Sequence, residues 1–127
     1  MNEIYTAVAE AIRAAAGISK VGVPEAPGEI AMLYGGVGLI KAYMDGTRKI
    51  QMNFTLHGAD TPEHQKALIE RLMTALDLAV NARIEVQGLN IERVMITNYP
   101  TPTVRDNQHW VYSADLAIIA YYKKERR

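Results

Sequence analysis

The C-terminal third of the chain constrains the fold more than any other segment. Residues 94–100 and 109–123 read as two strands joined by a Thr/Pro/Asp/Asn-rich loop, a pattern typical of a strand pair. The second strand is apolar at both parities from Leu116 to Tyr122, whereas a strand with one solvated face alternates between apolar and polar residues. Either this strand is central and covered on both sides, or one sheet face is covered by another subunit. Both alternatives remain open on the pattern alone.

The N-terminal segment predicts an amphipathic helix over residues 3–16. Its apolar positions recur at helical spacing and are Ile4, Val8, Ala11, Ile12 and Ala15. Gly17 is expected to end this helix in a left-handed conformation, with Ile18 folding back against it. Residues 19–28 contain two prolines and two glycines, so we expect an extended loop there.

Three strand-like runs follow. Residues 29–34 predict a short buried strand that ends at Gly35-Gly36, and residues 37–44 and 49–58 flank an Asp45-Gly46 turn, which indicates a hairpin. The second arm places Ile50, Met52, Phe54 and Leu56 on one face. A three-residue loop would add Ile40, Ala42 and Met44 to that face, and a two-residue loop would add Leu39, Lys41 and Tyr43. We favour the first because it buries no lysine.

Residues 61–80 predict the second helix. Thr61 is the expected cap, Pro62 suits the first turn, and the core stripe is Leu68, Leu72, Ala75, Leu76 and Ala79. The order helix, strand, hairpin, helix, strand pair predicts one α+β domain spanning residues 1–127. We expect a single mainly antiparallel sheet of about four to five strands with both helices packed on one face.

Charge and composition exclude several classes of function. The 14 basic residues balance 14 acidic ones, so the chain lacks the basic excess that nucleic-acid binding needs. It has no cysteine, which excludes disulfides, thiolate catalysis and cysteine-based zinc sites and permits an intracellular location. We see no apolar run near the ~20 residues of a membrane helix, and no signal peptide at the N-terminus. We expect neither a membrane nor a nucleic-acid partner.

No residue pattern indicates a catalytic, cofactor or metal site. His57, His64 and His109 are isolated in sequence, without the spacing of metal ligands on one element. Gly35-Gly36-Val37-Gly38 lacks the Lys-Ser/Thr and the following helix of a phosphate-binding loop. We therefore expect a protein that is not an enzyme. The alternative is a small ligand- or metal-binding domain or enzyme with a site near His57, Asp60 and His64.

The order of several motifs resembles that of tailed-bacteriophage tail-terminator and minor capsid proteins. Val23-Pro24-Glu25-Ala26-Pro27 precedes a strand ending in Tyr34-Gly35-Gly36, and a hairpin ending in His57-Gly58 precedes Pro62 and a Leu-rich helix. Pro100, an Asp-Asn turn, an aromatic strand start, a long apolar strand and a basic tail follow. The resemblance covers nearly the whole chain.

The resemblance implies a virion protein that is assembled in the host bacterial cytoplasm. Such a subunit forms a hexameric ring on the head-proximal end of the tail, stops polymerisation of the tail tube protein and meets the head-completion or connector protein. It implies no catalytic residues, and its matching positions are structural: Pro24, Pro27, Gly35, Gly36, Gly58 and Asp106. His57 stands where the family often has a basic residue, which is a departure from the family pattern.

A closed ring needs two different contact patches on each subunit. We expect one patch on the exposed sheet face or its edge and the other on the two loops at residues 20–28 and 100–108. The candidate interface residues are Lys41, Tyr43, Trp110 and Tyr121 for the first patch and Pro24, Pro27, Pro102, Arg105 and Asp106 for the second.

Overall fold

Five strands form one mixed, mainly antiparallel sheet in the computed structural model, which describes residues 2–18, 20–105 and 110–123. The strands are β1 (Lys20–Val21), β2 (Ile30–Ala42), β3 (Thr47–Asp60), β4 (Leu89–Arg105) and β5 (Trp110–Lys123). Their order across the sheet is β1-β2-β3-β5-β4, and among these strands only the β1–β2 pair is parallel. β5 therefore lies in the sheet interior, between β3 and β4.

Two helices, α1 (Asn2–Ala16) and α2 (Gln65–Val80), pack on one face of this sheet. The core contains Val8 and Ile12 from α1, Phe54 and Leu56 from β3, Leu116 and Ile118 from β5, and Leu72 and Leu76 from α2, all fully buried. This architecture confirms the predicted α+β fold. The predicted core stripe of α2 is also confirmed, because all five of its residues are buried.

The end of α1 follows the predicted capping pattern. The N–H of Gly17 donates to the carbonyl of Ala14 at 3.1 Å, and the N–H of Ile18 donates to that of Arg13 at 3.0 Å. Gly17 has φ +73°, a conformation that glycine adopts without the steric cost that a Cβ imposes. Ile18 is buried, so the chain is turned back towards the sheet.

The prediction that Gly35-Gly36 ends a strand is wrong, because β2 continues to Ala42. A β-bulge interrupts the β2–β3 register between Tyr34 and Gly36, and Gly36 has φ +125°. A Cβ on Gly35 would lie 3.0 Å from the carbonyl oxygen of Asn53. The two glycines therefore permit a bulge and a close backbone approach within one strand.

A second bulge separates Leu39 from Lys41 and decides which residues share the Ile50 face. Leu39 pairs with Ile50, whereas Ala42, beyond the bulge, pairs with Arg48 on that same face. The favoured register is thus correct for Ala42. It is wrong for Ile40, which is the extra residue of the bulge, and for Met44, which lies in the turn beyond β2 and is exposed.

Three element boundaries differ from prediction. Lys20–Val21 form β1 inside the segment expected to be a loop. The second helical region begins with a 3-10 turn at Pro62–His64, and the predicted Thr61 cap is wrong because its side chain makes no capping hydrogen bond. β4 extends through Arg105, so the predicted loop over residues 100–108 is wrong for its first part. The expected turn at Asp106 lies outside the described residues, as does His109.

Candidate functional site

The structure brings three candidate interface residues together at one end of the sheet, here called the distal end, where β2 turns into β3 and β5 ends. Tyr43 and Tyr121 line a hollow of about 280 Å³ with Met44, Asp45 and Thr47. The ammonium of Lys41 lies 5.2 Å from the centre of the Tyr43 ring, and that of Lys49 lies 5.5 Å from the Tyr121 ring. The distal end therefore combines aromatic rings with cations that lie over them.

The distal end also exposes large apolar side chains. Met44 is 99% exposed and Leu39 is 62% exposed. The others in this group, all exposed, are Val37, Ile40 and Tyr43. Single exposed apolar residues are ordinary, but these five fall within residues 37–44, on the second half of β2 and the turn after it, and a group of exposed apolar side chains is a feature of interaction surfaces.

The turn at the distal end is held by its own hydrogen bonds. The Tyr43 N–H donates to the Thr47 carbonyl at 2.8 Å, and the Gly46 N–H donates to the Tyr43 carbonyl at 3.1 Å. The Thr47 N–H also donates to Oδ1 of Asp45 at 2.9 Å, and this bond lowers the pKa of Asp45 below its ordinary value. The apolar tip is thus presented on an ordered turn.

Candidate residues of the second patch lie at the opposite, proximal end of the sheet. The Gly28 N–H donates to the Ala59 carbonyl at 2.8 Å, which fixes the segment containing Pro24 and Pro27 beside the end of β3. In the β4–β5 ladder, Pro102 pairs with Tyr112 and Arg105 with Trp110 at this same end. Asp106 lies outside the described residues. The segments predicted for the second patch therefore lie at the same end of the sheet, one beside β3 and the other on β4, with β5 between these two strands.

Polar contacts hold the proline-rich segment in place. The ammonium of Lys20 lies 3.0 Å from the Glu25 carboxylate and 3.6 Å from that of Glu29. The Glu25 N–H donates to Glu29 at 2.9 Å, and this bond, helped by the Lys20 charge, lowers the pKa of Glu29. Arg71 of α2 donates to the Gly28 carbonyl at 2.9 Å. These contacts connect the proximal end to the helical layer.

The sheet face opposite the helices, here called the open face, is largely polar. Asp115 accepts hydrogen bonds from Thr55 at 2.7 Å and from Asn98 at 3.0 Å, so its carboxylate joins three strands. The apolar residues of β5 on this face, Ala117 and Ile119, are already buried within the subunit. The interior position of β5 therefore accounts for its doubly apolar pattern without a covering subunit.

The three side chains of the alternative site do not converge. His57 points to the open face and its Nε2 contacts the Gly22 carbonyl, whereas Asp60 has the opposite strand parity. Asp60 instead contacts His64 at 3.3 Å and accepts a hydrogen bond from the Thr61 N–H at 2.7 Å. Among the described residues, no group of three or more His, Cys, Asp or Glu side chains is arranged to hold a metal ion.

Two surface features were missed by sequence reasoning. One is the open edge of β2, whose only local signal is the glycine-rich, apolar run over residues 35–40. The other is a cleft of about 610 Å³ between the end of α1 and α2, lined by residues that include Ile18, Gly28, Arg71 and Thr74. The cleft joins segments that are distant in sequence, so no local pattern predicts it.

Comparison of the sequence with protein-family models and with curated proteins finds no match. Neither helix in the described part of the chain is long and apolar enough to cross a membrane.

Proposed function

We propose that this chain is a virion assembly protein, a tail terminator or minor capsid subunit of a tailed phage that acts by forming a ring. The single observation that carries the proposal is the exposed apolar and aromatic surface at the distal end of the sheet. A subunit with Leu39 and Met44 so exposed lowers its free energy when another protein covers them.

The separation of the two candidate patches supports a joining role. Tyr121 follows Trp110 by eleven positions on β5, so the distal and proximal ends are about 35 Å apart at the usual strand rise. A subunit whose strands run roughly along the ring axis presents one end on each rim. We propose that one rim meets the tail tube protein and the other meets the head-completion or connector protein. The two end patches are then partner surfaces as well as neighbours of the ring contact.

This assignment revises the expected use of the patches in one respect. Patches at opposite ends of the strands can contact proteins above and below the ring. The contacts between neighbouring subunits within the ring are then made by the lateral edges of the sheet. Lys41 lies near the end of β2 and Tyr43 just after it, and β1 is the only described strand on the outer side of β2, which it covers at Ala31 and Met32.

Deletion of the coding sequence from the phage genome tests the proposed function. We expect heads and tails that fail to join, with tail tubes longer than those of the parent phage, and recovery when the wild-type chain is supplied from a plasmid. Heads joined to tails of normal length in the deletion strain would overturn the proposal. A purified chain that binds and turns over a small molecule, with no effect of deletion on particles, would favour the alternative of a ligand-binding domain or enzyme.

A further inference from the structure

In the part of the chain that the structure describes, β2 and β4 each leave a long stretch unpaired on the outer side. β1 covers β2 only at Ala31 and Met32, so within the described part of the chain β2 has no outer neighbour from Leu33 to Ala42. β4 lies at the end of the strand order, and among the described strands it pairs with β5 alone. Unpaired N–H and C=O groups along such edges are templates for pairing with another chain.

The open stretches of the two edges lie at the same height. Through the sheet registers, Val37 pairs with Met52, Met52 with Ile118, and Ile118 with Val94. Both edges are blocked at the proximal end, by β1 on one side and on the other by Pro100 and Pro102, which have no N–H to donate. The two edges therefore remain available for pairing towards the distal end.

Each of the two edges contains a regular window between two bulges. The bulges of β2 lie between Tyr34 and Gly36 and between Leu39 and Lys41, and Gly36 itself has φ +125° and donates its N–H to the Tyr5 hydroxyl, which leaves residues 37–39 undistorted. Those of β4 leave residues 93–96 undistorted, between Arg93 and Ile96. A bulge disrupts pairing on its strand, so the two windows are the segments best suited to an added strand.

Strand direction favours pairing between unlike edges. The β2–β3, β3–β5 and β5–β4 pairs are all antiparallel, so β2 and β4 run in opposite directions. Rotation of one copy about an axis along the strands brings its β2 beside the β4 of its neighbour. The new pair is antiparallel and needs no shift along the axis.

The side chains beside the two windows are compatible with this pairing. Exposed Val37 and Leu39 project from the helix face of β2, and half-buried Val94 and Ile96 project from the same face of β4. A Cβ built on Gly36 or Gly38 would meet nothing within 4 Å. Another backbone can therefore approach this edge closely, one of the uses of glycine in strands.

We propose that neighbouring subunits of the ring join by β-sheet edge pairing, with Val37 of β2 in one copy opposite Val94 of β4 in the next and the flanking residues antiparallel. This inference rests on the proposed ring function and specifies its contact. The interface is heterologous, because each copy offers one edge to each neighbour, so repeated addition closes a ring or extends a filament.

Cysteine cross-linking tests the pairing directly, since the chain has no cysteine of its own. Val37→Cys combined with Val94→Cys should give a ladder of covalent oligomers under mild oxidation or with a short bis-maleimide. Leu39→Cys with Val94→Cys tests a pairing that is shifted by two residues along the strands, because such a shift keeps both side chains on the helix face of the sheet. Each single variant should give no ladder, and neither should Val23→Cys with Tyr99→Cys, exposed positions away from the two windows. Leu39→Lys should shift the uncross-linked oligomer towards monomer, because edge lysines oppose pairing.

The outcomes distinguish a failure of the proposed edge pairing from a failure of the proposed ring function. A dimer from Val37→Cys alone would mean that like edges meet and would overturn the inference. Absence of cross-links in both double variants, with wild-type oligomers seen by light scattering, would overturn the edge pairing and leave the ring proposal standing. A wild-type chain that stays monomeric at every concentration would overturn the proposed function and this inference with it.

Discussion

Val37 of β2 and Val94 of β4 lie on one row of the sheet, at its two opposite edges, and are joined through Met52 and Ile118. Each lies within an undistorted window of strand whose outer side is open, in the part of the chain that the structure describes. A fold with two matching open edges of opposite direction is suited to sheet extension between copies.

Tyr5 links α1 to the first bulge of β2. Its hydroxyl accepts from the Gly36 N–H at 3.1 Å and donates to the Asn53 carbonyl at 3.3 Å, while its ring stacks on Phe54 at 5.5 Å. Tyr5→Phe should keep the stacking and lose about 1 kcal/mol of unfolding free energy. Hydrogen exchange of the Gly36 amide should also become faster, as measured by NMR. Unchanged exchange at Gly36 would show that the hydroxyl does not hold the bulge.

Gly58 is required by close packing. A Cβ at this position would lie 2.7 Å from Cδ1 of Leu68 and 3.1 Å from the Glu29 carbonyl oxygen. Gly58→Ala should therefore lower the unfolding free energy by about 1–3 kcal/mol, the usual cost of overpacking. Gly38→Ala is the matched control, since its Cβ would meet no atom within 4 Å. Urea unfolding of the two variants should separate them, and equal midpoints would contradict the account.

The turn at Asp45 predicts a pH dependence. The Thr47 N–H lowers the folded-state pKa of Asp45, so the stabilising contribution of the carboxylate is present above its ordinary pKa of about 4. This contribution is lost as the pH falls through the lowered pKa of Asp45 in the folded state. An NMR titration should place the Asp45 pKa below that of an unstructured peptide. Asp45→Asn keeps an oxygen that accepts from the Thr47 N–H but has no carboxyl group to protonate, so it should remove this contribution to the loss of stability at low pH. A normal or raised pKa would refute the role of the bond.

Tyr43 adjoins the open edge of β2 and is exposed with the rest of the tip. Tyr43→Glu should leave the fold intact and weaken self-assembly, because the contact would then have to bury a carboxylate. Leu78→Glu is the matched control, at an exposed position on α2. Circular dichroism checks the fold, and light scattering across a dilution series measures assembly. Equal oligomer content in the two variants would exclude Tyr43 from the contact.

Local features of the fold were predictable from the sequence, and the pairing of distant segments was not. The Gly17 cap and the α2 stripe from Leu68 to Ala79 are set by residues within a few turns of each other. A glycine pair, in contrast, is compatible with a strand end or with a bulge inside a strand. The contacts of Gly35 and Gly36 with Asn53 and Tyr5 decide between these possibilities, and both neighbours are remote in sequence.

In the candidate site, too, individual residues were predictable from the sequence and their spatial arrangement was not. The sequence indicated Lys41, Tyr43 and Tyr121 as surface residues, and their common position at the distal end follows from the pairing of β3 with β5. That pairing also places β2, which β1 covers only at Ala31 and Met32, and β4 on opposite sides of the sheet. Neither edge is visible in local pattern, because an edge is defined by which strands are adjacent rather than by its own residues.

The most direct test of the ring proposal is the mass and shape of the purified wild-type chain. Light scattering coupled to size exclusion, with negative-stain electron microscopy of the same fractions, should show closed rings at high concentration. Six copies of the 14.1 kDa chain would have a mass of about 85 kDa. A single species at the mass of one chain at every concentration, with no rings on the grid, would contradict the account.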